Sequence, residues 1–134
     1  MTLPRHASEM LVADIVHRFY EAVRGDPLLA PVFALRLGAD WDAHLGKMVD
    51  FWSSLTLQSG RYSGQPHVAH RNLGLTVAHF ERWLALFRET VEASCTGPVA
   101  ALFLDRAHRV AESLQIGLDI GPKALSSGLR SRTL

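Results

Sequence analysis

The sequence holds one cysteine, Cys95, in 134 residues. No internal disulfide can staple it, and a reducing interior is the expected setting. It also lacks an excess of charge: 14 Lys and Arg stand against 13 Asp and Glu, for a formal +1, and only the tail "LRSRTL" is locally basic. A nucleic-acid footprint is therefore not expected. No run of about 18 uncharged apolar residues occurs, so no membrane insertion is expected, and "MTLPRHASEM" lacks the apolar core of a signal peptide. The expected location is cytoplasmic. Missing too are a GxSxG elbow, a glycine-rich phosphate loop, an HExxH helix and a flavin or nicotinamide motif. Cys95 follows a helical stripe just before a turn, with nothing to tie it to a base, and reads as a small apolar residue.

What is present is helical periodicity. Ser8 is a plausible cap for a first helix, along which Leu11, Ile15, Phe19, Tyr20 and Val23 recur until Gly25. In "GDPLLAPVF", Asp26 and Pro27 suit a helix start, and Pro31 limits it to a short turn. From Asp40 a second long helix carries Trp41, His44, Leu45, Met48, Phe51, Trp52 and Leu55 on one side. The segment from about Gln58 to Gly74 breaks the period and is read as irregular, with one short helix; such stretches are often functional. Thr76 can cap a third long helix bearing Phe80, Trp83, Leu84, Phe87 and Val91, which "TGP" at 96 to 98 ends. Pro98 opens a fourth, marked by Leu102, Phe103, Val110, Leu114 and Leu118, before Gly121 and Pro122 close it. No strand alternation, hairpin signal or internal repeat is found. The expectation is a single all-α domain with its core over about 8–120 and a flexible tail from 121.

Seven histidines are many for this length. His6, His17, His67, His79 and His108 lie among polar neighbours or near ends and read as solvent-facing. His44 instead lies in an apolar stripe, and His70, in "PHVAH", sits between the two Trp-bearing helices. An imidazole facing an apolar interior needs a hydrogen-bond partner or a metal, since leaving it unsatisfied costs roughly 1–3 kcal/mol. Tyr20 adds a third inward polar tip. Each of the three alone reads as structural, but together they suit a pocket between helices, walled by Phe33, Phe51, Trp52 and Trp83, that a planar apolar cofactor would fill. Zinc is the competitor, yet it prefers four ligands, and no cysteine pair or HExxH helix joins the histidines.

Four landmarks in order, "FYEAVRGDPLLAPVF" (19–33), "WDAHLGKMVDFW" (41–52), "RYSGQPHVAH" (61–70) and "HFERWLALF" (79–87), resemble the truncated haemoglobins, specifically their third group. The likeness spans roughly residues 8 to 118, and the paired-glycine motifs of the other groups are absent. The resemblance implies an all-α two-over-two globin sandwich around haem b, with His70 as the proximal iron ligand and His67 a bystander. It implies Tyr20, Trp83 and His44 on the distal side, Phe33 against the porphyrin, and Met48, Phe51 and Trp52 lining the pocket. Tyr62, His67 and Arg71 are offered as partners of the haem propionates by their closeness to His70. Implied ligands are O2, NO and CO, and redox turnover of NO or peroxide would call for a separate reductase. The alternative is a haem-free helical interaction module whose Trp and Phe residues form a plain core.

Overall fold

The computed structural model describes residues 2–121 and shows, among them, six helices and no strand. Helix α1 (Glu9–Arg24) begins where the sequence predicts: Ser8 Oγ accepts from the Leu11 amide at 3.1 Å, satisfying a donor that every helix start leaves without an intrahelical partner. Its buried stripe runs from Leu11 through Ile15, Phe19 and Tyr20 to Val23. The stripe is wide enough to take two neighbours. Helix α3 (Trp41–Leu57) packs on one side of it and α5 (Val77–Ser94) on the other, while α6 (Pro98–Gly117) packs on α5 and reaches α3. Two helix pairs, α1 with α3 and α5 with α6, thus face each other as a two-over-two sandwich.

The centre of that sandwich is aromatic. Trp52 and Phe87 stack with ring centroids 4.7 Å apart, Trp83 stacks on Phe87 at 5.4 Å, and Phe19 meets Phe87 edge-on at 5.1 Å. Phe19, Trp52, Phe87 and Phe103 are each 1 % exposed or less. Rings of this size contribute both buried area and preferred stacking geometry, so they set the spacing between α1, α3, α5 and α6.

The corner after α1 departs from the sequence expectation. Helix α2 (Ala30–Leu37) starts at Ala30, with Pro31 in its first turn instead of at its limit. A proline there removes no hydrogen bond and presets φ for the helix. Asp26 serves the turn before it: Oδ2 accepts from the amides of Leu28 (3.1 Å) and Leu29 (3.0 Å), and Oδ1 accepts from Arg82 Nε on α5 at 2.7 Å. Burial opposes charge on Asp26, yet the Arg82 guanidinium and the two amides outweigh it and hold the carboxyl below its ordinary value of 3.8.

The irregular stretch contains one short helix, α4 (Pro66–Ala69), which rests on α6. Thr76 caps α5, its amide donating to Nδ1 of His79 at 3.0 Å. At the α5–α6 corner Gly97 has φ +68°, and a Cβ there would lie 3.1 Å from the Arg5 guanidinium, so only glycine turns this corner without strain. Helix α6 ends at Gly117, before the expected stop at Gly121 and Pro122. The tail expected to be flexible lies, from Pro122 on, outside the described residues. No helix among those described is long and apolar enough to cross a membrane.

Asp26→Ala removes two backbone caps and strips Arg82 of its partner, and is expected to destabilise the fold by roughly 2–4 kcal/mol. The urea midpoint at neutral pH reads this out. Because the folded carboxyl titrates below its unfolded value, its contribution is complete above that unfolded value and is lost as pH falls through the folded one. The gap between wild type and Asp26→Ala should therefore narrow in strong acid; a constant gap would show the charge to be irrelevant.

Candidate functional site

Between the two helix pairs and the irregular stretch lies a cavity of about 550 Å³, walled by all six helices. Its size belongs to the class that takes cofactors and small organic ligands. On one wall stands Tyr20, 4 % exposed, meeting Phe33 edge-on at 5.6 Å and His44 at 4.9 Å. Burial pushes the Tyr20 phenol above its ordinary value, so it stays neutral and able to donate. Phe33 comes from α2 and stacks on Trp41 at 5.8 Å. Trp41 is covered in turn by the Arg24 guanidinium, 4.8 Å from its ring centroid.

His44 lines this wall from α3, and its Nε2 is buried with no hydrogen-bond partner among the described residues. Desolvation first, then the nearness of the basic side chains of His70 and Lys47, lowers its pKa to about 4, so the ring is neutral at pH 7. Met48 and Phe51 follow on the same face of α3 and also line the cavity. Trp83 lines it from α5. Trp52 touches the lining but is otherwise a core residue, 1 % exposed.

His70 closes α4 as its C-cap and also lines the cavity. Its Nδ1 pairs with the carbonyl of Pro66, one helical turn back. A carbonyl can only accept, so Nδ1 carries the hydrogen and Nε2 keeps a lone pair. That is the tautomer a metal ligand needs, already fixed by a backbone oxygen. No group of three or more His, Cys, Asp or Glu among the described residues could hold a free metal ion.

Tyr62 reaches the cavity from the loop before α4, its ring edge-on to Phe51 at 5.0 Å. A Cβ at Gly64 would sit 2.5 Å from the Tyr62 hydroxyl, so glycine at 64 makes room for that ring. Arg61 holds the loop by a two-armed pair to Glu9 (2.7 and 3.1 Å) and a bond from Nε to Asp50 Oδ1 (2.9 Å). His67 and Arg71, by contrast, are exposed and lie outside the cavity lining; His67 packs towards Gly117 of α6.

Among the lining residues that went unread in the sequence are Arg36, Lys47 and His79. Arg36 donates from Nε to the carbonyl of Ala69 at 3.1 Å, tying α2 to the residue before His70. Lys47 adds a second cation on the lining. His79, expected to face solvent, is on the cavity wall. Its position four residues before Trp83, on one helical face, was the available signal. Nothing local announced Arg36, whose bond spans 33 residues.

The fold is shared with known proteins. A family model described as bacterial-like globin matches residues 7–114. The chain is similar to the group 3 truncated hemoglobin ctb of Campylobacter jejuni subsp. jejuni serotype O:2, 33 % identical over 108 residues, covering 78 % of this chain and 85 % of that one. It also superposes on the crystal structure of the group III truncated hemoglobin from Campylobacter jejuni with a TM-score of 0.82 at 31 % identity, covering 88 % of this chain and 95 % of that one.

The depressed His44 value has a stability consequence. Between about pH 6.5 and 4 the unfolded chain binds a proton that the folded ring refuses, so the fold weakens as pH falls through this window. His44→Gln should flatten the stability profile of the cofactor-free protein across that window. An unchanged profile would mean that the ring is neither desolvated nor close to His70.

Proposed function

The chain belongs to the bacterial-like globins, and on that footing we propose that it holds haem b in this cavity, with His70 as the iron's protein ligand, and binds O2, NO or CO at the remaining position. The observation that carries the proposal is the His70–Pro66 bond, which leaves one imidazole lone pair on the cavity wall. The rest of the lining suits such a group. Phe33, Met48, Phe51 and Trp83 offer flat or pliant apolar surface, while Arg36, Lys47 and Tyr62 offer charge and a hydroxyl suited to two carboxylates. These cations replace His67 and Arg71, which lie off the lining, as the natural propionate partners.

Haem supplies an iron centre with a position open to a small ligand and able to change oxidation state. The chain supplies the surroundings. Tyr20, neutral and buried, and the Trp83 indole, which can only donate, line the same cavity as His70. Two donors in a water-poor site stabilise a ligand that gathers negative charge. Redox turnover of NO or peroxide would need electrons from a separate reductase.

The absorption spectrum of protein expressed with haem supply tests the proposal. A Soret band that moves on reduction and on CO addition, and is lost or altered in His70→Ala, is the expected result; a colourless wild type that refuses added haem would overturn it and favour a plain helical interaction module. Tyr20→Phe and Trp83→Phe are each expected to speed O2 release by roughly 10- to 100-fold, the effect of losing a bond to a charged group of about 1.5–3 kcal/mol. Unchanged release in both variants would remove these residues from the ligand site.

A further inference from the structure

Helix α4 leads into His70 but is held by little of its own. It is a single turn with no buried residue and no side-chain cap at Gln65, and Asn72, at φ +62°, stops the helix from continuing past His70. Within that turn the Pro66 carbonyl accepts twice from His70, once from the backbone amide at 3.1 Å and once from ring Nδ1. Ring and backbone thus hang from one oxygen. That tie alone leaves the peptide group between Ala69 and His70 free to swing at its other end. There stands the Ala69 carbonyl, the last of the helix, which meets no backbone donor among the described residues. Arg36 Nε supplies one from α2, at 3.1 Å.

Resting on the haem assignment above, we propose that Arg36 is a positioning residue for His70, acting through the Ala69 carbonyl to fix the orientation of its ring. A peptide group is planar, so an oxygen held at Ala69 and an amide held at His70 set the whole plane from which the His70 side chain springs. The Arg36 bond is exposed and adds little to stability by itself. Its leverage is on direction, and partners beyond a metal's own ligands are what orient those ligands and tune the bond they make. The helix that carries Arg36 is itself anchored, because Phe33, one turn earlier on α2, meets the buried Tyr20 edge-on at 5.6 Å. Only Nε is engaged with Ala69. The two terminal amino groups are left for a carboxylate of the cofactor, so one side chain on the cavity lining can serve both the cofactor and the residue that binds its iron.

The test uses the full chain loaded with haem and Arg36→Met, which removes the donor while keeping an apolar stem on an exposed site. Resonance Raman spectra of the ferrous protein, taken just after light has driven off CO, report the iron–His70 stretching band. Arg36→Met is expected to broaden or split this band, because several ring orientations replace one. The same broadening is expected when haem is supplied as its dimethyl ester, whose carboxylates are blocked. A band unchanged in Arg36→Met would overturn the proposal, as would a broadening that vanishes with the ester, since Arg36 would then act through the carboxylates and not through Ala69. Hydrogen exchange at the Ala69 and His70 amides, measured on the chain as expressed, should run roughly 3- to 10-fold faster in Arg36→Met; equal exchange also overturns the proposal. A wild type that takes up no haem sinks the haem assignment itself, and the exchange rates alone then decide whether Arg36 holds the turn that carries His70.

Discussion

The Asp26 carboxylate, buried at the corner after α1, accepts from Leu28, Leu29 and Arg82 at once. Those three bonds join the elements that build one wall of the cavity. Tyr20 stands in the last turns of α1, Phe33 in α2 directly beyond the capped turn, and Trp83 next to Arg82 on α5. Sliding any of the three past the others would leave a buried charge without its partners, which costs several kcal/mol. Tyr20, Phe33 and Trp83 are therefore held in register by a residue that touches none of the cavity. The aromatic stack of Trp52, Phe87 and Trp83 backs them from behind, so this wall is braced on both faces.

The opposite wall is held by weaker means. Helix α4 is a single turn, and its ties are the Arg36–Ala69 bond and, through the preceding loop, the Arg61 pairs to Glu9 and Asp50. Glu9 and Arg61 are about half exposed, and exposed pairs are each worth no more than about 1 kcal/mol and are screened by salt. One anchor is buried: Ser53, fully inaccessible, donates to Glu9 at 2.6 Å and lies 2.8 Å from the Ser59 hydroxyl. The asymmetry suits a pocket that must admit something as large as a cofactor.

The elements legible in the sequence were those that one face of one helix encodes. The four long helices and the caps at Ser8 and Thr76 follow from spacing and local chemistry alone. The short α4 and the inward His44, Tyr20 and His70 were legible for the same reason, since each breaks or interrupts a pattern. What failed was closeness along the chain used as closeness in space. His67 and Arg71 neighbour His70 in sequence, but neither is on the cavity lining. Arg36, Lys47 and His79 reach it from other elements, through side-chain paths that no local pattern describes. Pro31 misled differently: proline is read as a stop, yet at the first turn it is a start.

The chemistry of the cavity follows from the charge state of the polar groups set among its apolar residues. Tyr20 and His44 are both kept neutral by burial, in opposite senses: the phenol cannot lose its proton and the imidazole cannot gain one. One is thereby fixed as a donor, and the other stays uncharged with one N–H and one lone pair. Trp83 joins the donors without titrating at all. A ligand that gathers negative charge would be stabilised by the donors. The wall would then select ligands by how much charge they draw on binding, with apolar residues such as Phe33 and Met48 keeping water from blunting the difference.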